Sequence, residues 1–126
     1  MKYKLFISTA GRGTRVAGLT SINKSLLPIN YEAVITRIIE SYPKNLEIVI
    51  ALGHEKEIVK NFLKIRHADR KIQFVIIKKY SGIGSGPGYS LYQCRKYLQC
   101  PFIYSSCDTI VLEKVPPPSE NWLGIS

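Results

Sequence analysis

The chain has 126 residues, 45% of them apolar and 21% charged, which is the balance of a folded domain and excludes a disordered segment. No apolar run approaches the roughly 20 residues of a membrane-spanning helix, and we expect no membrane partner. The 18 basic and 9 acidic residues give a net charge of +9, which favours an anionic partner, although charge alone does not choose among a nucleotide, a nucleic acid and a membrane surface. We expect one domain over residues 1–126.

The N-terminal stretch MKYKLFISTAG has only a short apolar patch, unlike a secretory signal peptide, and predicts the first strand of a cytoplasmic protein. Three cysteines, Cys94, Cys100 and Cys107, agree with that compartment, because their odd number and their spacing do not suit a zinc site. We interpret them as buried free thiols. A catalytic thiol would need a histidine, and neither His54 nor His67 is close in sequence.

Apolar periodicity predicts strands and helices in alternation. The predicted strands cover residues 3–9, 46–52, 72–77 and 101–106. The predicted amphipathic helices cover residues 32–41, 55–65 and 89–98. This order predicts an α/β fold of three layers, α/β/α, around a mainly parallel, Rossmann-like sheet with right-handed crossovers.

The C-terminal stretch differs in character from the rest. VPPPS, residues 115–119, predicts a rigid extended connector. Trp122, Leu123 and Ile125 follow it, and such apolar residues suit the start of a strand that needs neighbours. We therefore expect the chain to be truncated relative to a larger domain. The oligomeric state stays open, although an exposed edge after the fourth strand favours pairing between copies, as a homo-oligomer.

The loop after the first predicted strand, TAGRGTRVAGLTSINKSLLPI, covers residues 9–29. Ligands of open parallel sheets bind beyond the carboxyl ends of the strands, where this loop lies. Gly11 and Gly13 would let backbone N–H groups approach phosphate oxygens, or would simply form a tight turn. Arg15 and Lys24 would neutralise a triphosphate, or would be solvated surface charges. The combination of glycines and cations favours a nucleoside triphosphate as ligand.

Three further features follow the other predicted strands. Asp108 follows the fourth strand, where a carboxylate would hold Mg²⁺, or would cap a turn. The glycine-rich stretch over residues 82–88 is either a linker or a nucleotide contact beside the third helix. His54 ends the second strand, and we interpret it as a strand-end polar residue and not as a catalyst.

A phosphate-loop motif is nearly present in GLTSINKS, residues 18–25, where Asn23 replaces the second glycine. Asparagine tolerates the left-handed backbone conformation that the glycine would adopt. That motif, however, directly follows its strand and opens a helix, whereas here it lies well beyond the strand and Pro28 interrupts any helix that starts at Lys24. We therefore reject a phosphate loop of this type.

The motifs together carry a resemblance to a known family. TAGRGTR followed by NKSLLPI resembles the G-x-G-T-R and K-P-L-L-P-I signature of nucleotidyltransferases that activate phosphorylated sugars and related small molecules. IVIALGHEKEIVKNFL is similar to that family's second strand and helix, GPGYSL to its base-contacting segment, and SSCDT to the stretch with its metal-binding aspartate. The resemblance extends from residue 3 to about residue 111.

The resemblance implies an enzyme that transfers a nucleoside monophosphate from a nucleoside triphosphate to a phosphorylated acceptor and releases pyrophosphate. It implies Arg15 and Lys24 as catalytic cations and Asp108 as the ligand of a Mg²⁺ cofactor. The residues that it implies in nucleotide binding are Ala10, Gly11, Gly13, Thr14 and Gly86. It also suggests a place in sugar-nucleotide and polysaccharide biosynthesis.

The sequence departs from the family in several places. Ser25 replaces the usual proline after the lysine, and His54 replaces the usual tyrosine. The acceptor-binding half and a second metal carboxylate normally come later, yet only Glu113 and Glu120 follow Asp108 as carboxylates. We therefore expect the isolated chain to bind a nucleotide without turnover.

Two alternative functions stay open. One is a basic nucleic-acid-binding module, which is disfavoured because the basic residues are scattered among helices and no nucleic-acid motif appears. The other is a non-catalytic regulatory protein that keeps the nucleotide-binding fold without its chemistry.

Overall fold

The computed structural model of the chain describes residues 2–11, 23–78 and 84–124. In this part of the chain, four strands form one parallel sheet, in the spatial order β5-β4-β1-β6. Those strands are β1 (Lys4–Ser8), β4 (Glu47–Leu52), β5 (Ile72–Ile76) and β6 (Phe102–Ser106). Two short antiparallel strands, β2 (Pro28–Ile29) and β3 (Glu32–Ala33), form a separate hairpin.

Within the described residues, three α-helices connect the strands: α1 (Val34–Glu40), α2 (Lys56–Arg66) and α3 (Pro87–Gln93). Two 3₁₀ turns accompany them, over Lys24–Leu26 and Arg95–Tyr97. None of the helices in the described part of the chain has the length and apolarity that crossing a membrane would require.

Both faces of the sheet are covered, which explains why the central strands are continuously apolar. Leu5, Ile7 and Ile50 point to one face and pack in a core with residues of α1 and α2. Phe6 and Val49 alternate to the opposite face and pack with Cys94 and Leu98, which follow α3. The three-layer α/β/α fold with a Rossmann-like parallel sheet is therefore confirmed.

The predicted strands of the parallel sheet and helix α2 agree with the observed ones to within one residue at each end, but the other two helices differ. The helix predicted from residue 32 begins at Val34, because Glu32 and Ala33 pair with β2. The helix predicted over 89–98 begins at Pro87, ends at Gln93 and continues as a 3₁₀ turn, since the N–H of Cys94 donates to both Ser90 and Leu91 carbonyls.

The segment after β6 contains no helix or strand over the described residues 107–124. The strand expected to begin near Trp122 is therefore not formed there. Trp122 Nε1 donates to the carbonyl of Pro117 at 3.4 Å, which folds the proline connector back on itself. Leu123 is exposed.

Candidate active site

The carboxyl ends of β1 and β4 are joined beyond the strands themselves. The N–H and Oγ1 of Thr9 both donate to the carbonyl of Ala51, at 3.0 and 2.7 Å. The N–H of His54 donates to the carbonyl of Ala10 at 3.1 Å. The chain therefore leaves β1 at a rigid, buried point, and Ala10 itself is 1% exposed.

The first exposed position on this path is Gly11. A Cβ placed on Gly11 would meet no described atom within 4 Å, so residues 2–11, 23–78 and 84–124 do not crowd this position. Gly13, Thr14 and Arg15 lie outside the described residues. The phosphate and nucleotide contacts predicted for these residues and for Ala10 therefore stay predictions.

Lys24 and Asp108 meet at this edge of the sheet although they are 84 positions apart in the chain. Lys24 Nζ lies 3.3 Å from Asp108 Oδ2, and the two side chains are 26% and 50% exposed. Lys24 begins the 3₁₀ turn that follows the first loop, whereas Asp108 follows β6. The structure thus brings two of the predicted site residues within ion-pair distance, and solvent still reaches both.

The carboxylate of Asp108 is oriented by two neighbouring hydroxyls. Ser106 Oγ donates to Asp108 Oδ1 at 2.9 Å, and Thr109 Oγ1 donates to the same oxygen at 3.4 Å. Partial burial opposes ionisation, but the Ser106 hydrogen bond and the Lys24 ammonium outweigh it and lower the pKa of Asp108 below its ordinary value. Asp108 is therefore a carboxylate at neutral pH, with Oδ2 directed toward a cation.

Cys107 lies next to this carboxylate. Burial, with the nearby Asp108 charge, raises the pKa of the Cys107 thiol to about 11. The thiol is therefore protonated at neutral pH and unsuited to nucleophilic attack. All three cysteines are free, but only Cys94 is fully buried, whereas Cys100 and Cys107 are half-buried.

Gly86 stands at the start of α3, with φ of 142° and ψ of −178°. This backbone conformation is open to glycine and strained for residues with a Cβ. The carbonyl of Gly86 accepts the first helical hydrogen bond, from the N–H of Ser90 at 3.0 Å. The local turn therefore accounts for the glycine, and the base contact predicted for Gly86 stays a prediction.

Asn23 lies directly before Lys24, and the sequence did not reveal its contacts. It replaces the glycine of a phosphate loop, yet its φ of −64° and ψ of 132° are extended and not left-handed. Its side chain is buried and accepts the N–H of Ser25, which makes it the N-cap of the 3₁₀ turn. That turn ends at Leu26. The expectation that Pro28 interrupts any helix starting at Lys24 is therefore confirmed.

The donor set at Asp108 fits magnesium held together with a ligand. Among residues 2–11, 23–78 and 84–124, no three His, Cys, Asp or Glu side chains are grouped so as to hold a metal ion. Mg²⁺ usually keeps several waters and binds through one or two carboxylates plus substrate phosphates. A single oriented carboxylate that solvent reaches suits that mode and does not suit an all-protein metal cage.

Solved structures with the same arrangement of strands and helices identify the fold. CTP:phosphocholine cytidylyltransferase from Streptococcus pneumoniae superimposes with a TM-score of 0.71 over 96% of this chain, at 23% identity. UDP-glucose pyrophosphorylase, in complex with UDP-glucose, superimposes with a TM-score of 0.69 over 86% of this chain, also at 23% identity. This chain has the nucleotidyltransferase fold.

Further comparisons bound that conclusion. A putative glucose-1-phosphate thymidylyltransferase from Bacillus anthracis matches at 18% identity, with a TM-score of 0.63 over 89% of this chain. The chain covers 51%, 46% and 46% of these three proteins, and so spans about half of their length. No protein-family model matches the chain. No curated protein matches it in sequence either. At these identities the likeness establishes the fold, which the sequence motifs had predicted, and not the activity.

Proposed function

We propose that the chain is the nucleotide-binding part of a nucleotidyltransferase that uses a nucleoside triphosphate and a phosphorylated sugar or similar small molecule. The observation that carries the proposal is the Lys24–Asp108 pair at the carboxyl edge of the parallel sheet. In such sheets this edge is where ligands bind. The structural neighbours support nucleotidyl transfer as the reaction class, since the name of each contains a nucleotide together with a phosphorylated acceptor or the sugar of its product.

The proposed reaction is an in-line displacement at the α-phosphorus. An oxygen of the acceptor phosphate forms the new bond to the α-phosphorus, the bond to the β-phosphate oxygen breaks, and pyrophosphate leaves. Such a transfer needs positioning and charge neutralisation more than covalent help. Lys24, with Arg15 of the preceding loop, would stabilise negative charge on the triphosphate and in the transition state.

Backbone groups and Asp108 complete the proposed site. Backbone groups of four residues would contact the base and the phosphates of the nucleotide, namely Ala10, Gly11, Gly13 and Thr14. Gly86 would contact the base. Asp108 would hold Mg²⁺, which would supply positive charge to offset the negative charge of the phosphates. Because Lys24 Nζ lies 3.3 Å from Asp108 Oδ2, a phosphate bound at this edge would compete with the carboxylate for the lysine ammonium.

The span of the chain shapes the expected activity. It covers about half of its structural neighbours, at 46–51% of their length. We infer that acceptor binding depends on parts of the fold beyond these residues, so residues 1–126 alone bind nucleotide without turnover. A coupled pyrophosphate-release assay with several sugar phosphates checks this, and robust turnover would contradict it. We place the activity in the cytoplasm and in sugar-nucleotide supply for polysaccharide synthesis.

The test of the nucleotide site is a thermal-shift panel with ATP, CTP, GTP, UTP and dTTP, each with and without Mg²⁺. A ligand that binds only the folded state raises the melting temperature, so at least one triphosphate should do so in a Mg²⁺-dependent way. Lys24→Ala should remove most of that rise. The matched control is Lys4→Ala, because Lys4 is 27% exposed and lies at the same 3.3 Å from its own carboxylate, Glu47.

Two other results would overturn the proposal. No shift with any triphosphate, together with steeply salt-dependent binding to random DNA or RNA, would favour the nucleic-acid-binding alternative. Unchanged nucleotide affinity in both Arg15→Ala and Lys24→Ala would favour a regulatory protein without the transfer chemistry.

A further inference from the structure

The Asn23 side chain has every polar atom paired. It is only 2% exposed. Its Nδ2 donates to the carbonyls of Thr9 and His54, both at 2.8 Å. Its Oδ1 accepts the N–H of Ser25 at 3.0 Å and the Ser25 hydroxyl at 2.7 Å. A buried amide with two donated and two accepted bonds is locked in one orientation.

The partners of Asn23 come from three separate segments. Thr9 follows β1, and His54 follows β4, so the amide spans the carboxyl ends of two adjacent central strands. Ser25 belongs to the 3₁₀ turn that begins at Lys24. Lys24 lies between Asn23 and Ser25 in the chain, and the hydrogen bonds of the Asn23 side chain fix both neighbours. The backbone of Lys24 is therefore held in the position from which its side chain reaches Asp108.

We infer that Asn23 is a positioning residue for Lys24, which fixes the ammonium where it reaches both Asp108 and a bound triphosphate. This inference rests on the proposed nucleotide site. The requirement is for the amide and not for the backbone, because the backbone of Asn23 is extended and accessible to residues of any type. Serine could still cap the turn through its hydroxyl, but it lacks the length and the second donor to join the Thr9 and His54 carbonyls.

A double-mutant cycle separates positioning from general stability. Asn23→Ser, Lys24→Ala and the double variant are titrated calorimetrically with the triphosphate that gives the largest shift in the panel, with Mg²⁺. Each single change should weaken binding about tenfold, the loss of one charge-assisted contact. The double variant should bind no more weakly than Lys24→Ala, because Asn23 acts through that lysine.

The control is Thr36→Val, another change to a buried hydrogen-bonded residue. Thr36 is 1% exposed and its Oγ1 lies 3.0 Å from His67 Nε2, at the far end of α2. It should lower the melting temperature without weakening triphosphate binding. Asn23→Asp is the second variant should Asn23→Ser fold poorly, since the carboxylate keeps the Ser25 bonds and removes both donors.

A nucleotide-free measurement keeps the two proposals distinguishable. Acetylation of Lys24 with an amine-reactive ester is followed by mass spectrometry in the absence of ligand. Asn23→Ser should raise the rate at Lys24 several-fold, whereas Thr36→Val should not. An unchanged labelling rate, or losses of binding that add in the double variant, would overturn the positioning role. A wild-type chain that binds no triphosphate, with Lys24 nonetheless released by Asn23→Ser, would overturn only the nucleotide site.

Discussion

Two lysine–carboxylate pairs lie at opposite edges of the same sheet. At the amino edge, Lys4 and Glu47 are register partners in adjacent strands. At the carboxyl edge, Lys24 and Asp108 lie outside the strands. Both pairs have an N–O distance of 3.3 Å, and both lysines are about one quarter exposed, at 27% and 26%. Distance and exposure therefore do not distinguish a structural ion pair from a candidate site.

The surroundings of the two carboxylates differ. Glu47 has a second cation, Lys71, at 2.7 Å, and Lys4 also donates to the carbonyl of Tyr97 at 2.8 Å. Asp108 has one lysine and two hydroxyl donors, and its lysine is anchored by a buried amide. The amino-edge pair is neutralised within regular strands, whereas the carboxyl-edge pair is held in place by polar contacts that strand pairing does not require. This second arrangement is typical of a preorganised binding site.

The largest difference between the edges should appear when the two carboxylates are neutralised. Asp108→Asn should abolish the Mg²⁺-dependent part of triphosphate binding, a loss of more than about tenfold, because an amide is a poor ligand for this ion. Glu47→Gln should leave that part unchanged. Calorimetric titration with and without Mg²⁺ measures both variants. Equal losses in the two would show that the edges are not functionally distinct.

The pH dependence of stability at His67 tests whether the amino edge is independent of the binding site. It follows α2, which runs away from the carboxyl edge, and burial, with the Arg66 charge beside it, lowers the pKa of His67. Glu40 and Asp69 oppose that shift and Arg70 adds to it. A lowered folded pKa makes protonation favour the unfolded state, so stability is complete above the unfolded value of about 6.5 and falls as the pH drops below it.

The free energy of unfolding should decrease between pH 7.5 and 5.5, by no more than about 1.4 kcal/mol, the limit that the unfolded value of about 6.5 sets. Urea unfolding at several pH values measures it, and His67→Gln should flatten the dependence over this range. Triphosphate binding by the folded protein should not follow the His67 titration. A pH profile of binding that His67→Gln abolishes would instead connect the amino edge to the site.

The sequence predicted the sheet well because its central strands are buried on both faces. A run such as LEIVIAL can satisfy its apolar side chains only between two helical layers, which fixes both the strand and its parallel neighbours. Topology then brings the residues that follow β1 and β6 to one edge. This is why Lys24 and Asp108 could be grouped from sequence despite their separation.

The hairpin between β2 and β3 was not predicted, because its turn breaks the usual residue preferences. Asn30 and Tyr31 both have positive φ, 50° and 70°, and tyrosine is rare at such positions. A tertiary contact compensates: Arg37 donates to the carbonyls of Ile29 and Asn30 at 2.8 and 3.2 Å. No local pattern could have revealed a turn that is stabilised from a following helix.

The residues that support the site were also beyond sequence reasoning. In the sequence, Asn23 stands out only as a replacement for a phosphate-loop glycine, because short polar residues in a loop look alike in sequence. The His54 carbonyl that accepts from Asn23 is 31 positions away in the chain. Asn23 can reach this carbonyl only because β1 and β4 are neighbours in the sheet. Ser106 likewise belonged to a predicted strand, and only the structure shows its hydroxyl on Asp108.

A smaller effect on metal binding is expected from Ser106, which orients the carboxylate at the carboxyl edge. Ser106→Ala removes the 2.9 Å hydrogen bond to Asp108 Oδ1 and so loosens the carboxylate without changing its charge. We expect metal affinity in the presence of triphosphate to fall about threefold, because Asp108 is 50% exposed and water replaces much of this charge-assisted hydrogen bond. Mn²⁺ titration by electron paramagnetic resonance measures this. Ser105→Ala is the control, because Ser105 Oγ donates instead to the carbonyl of the neighbouring Ser106, at 3.1 Å. An equal loss in both variants would mean that strand β6, and not the hydroxyl, orients Asp108.

The smallest effect is expected at Lys71, on the amino edge. Its side chain is 78% exposed, so its 2.7 Å contact with Glu47 lies in water, where an ion pair contributes little. Lys71→Ala should cost less than about 0.5 kcal/mol in the free energy of unfolding, with Lys4 still beside Glu47. Urea unfolding at low and high salt measures it, and the small loss should shrink as salt screens the pair.

A loss above about 2 kcal/mol would exceed the range of a solvated pair. The amino edge would then be a tightly organised charge cluster like the carboxyl edge, and polar preorganisation would no longer single out the Lys24–Asp108 edge as the binding site.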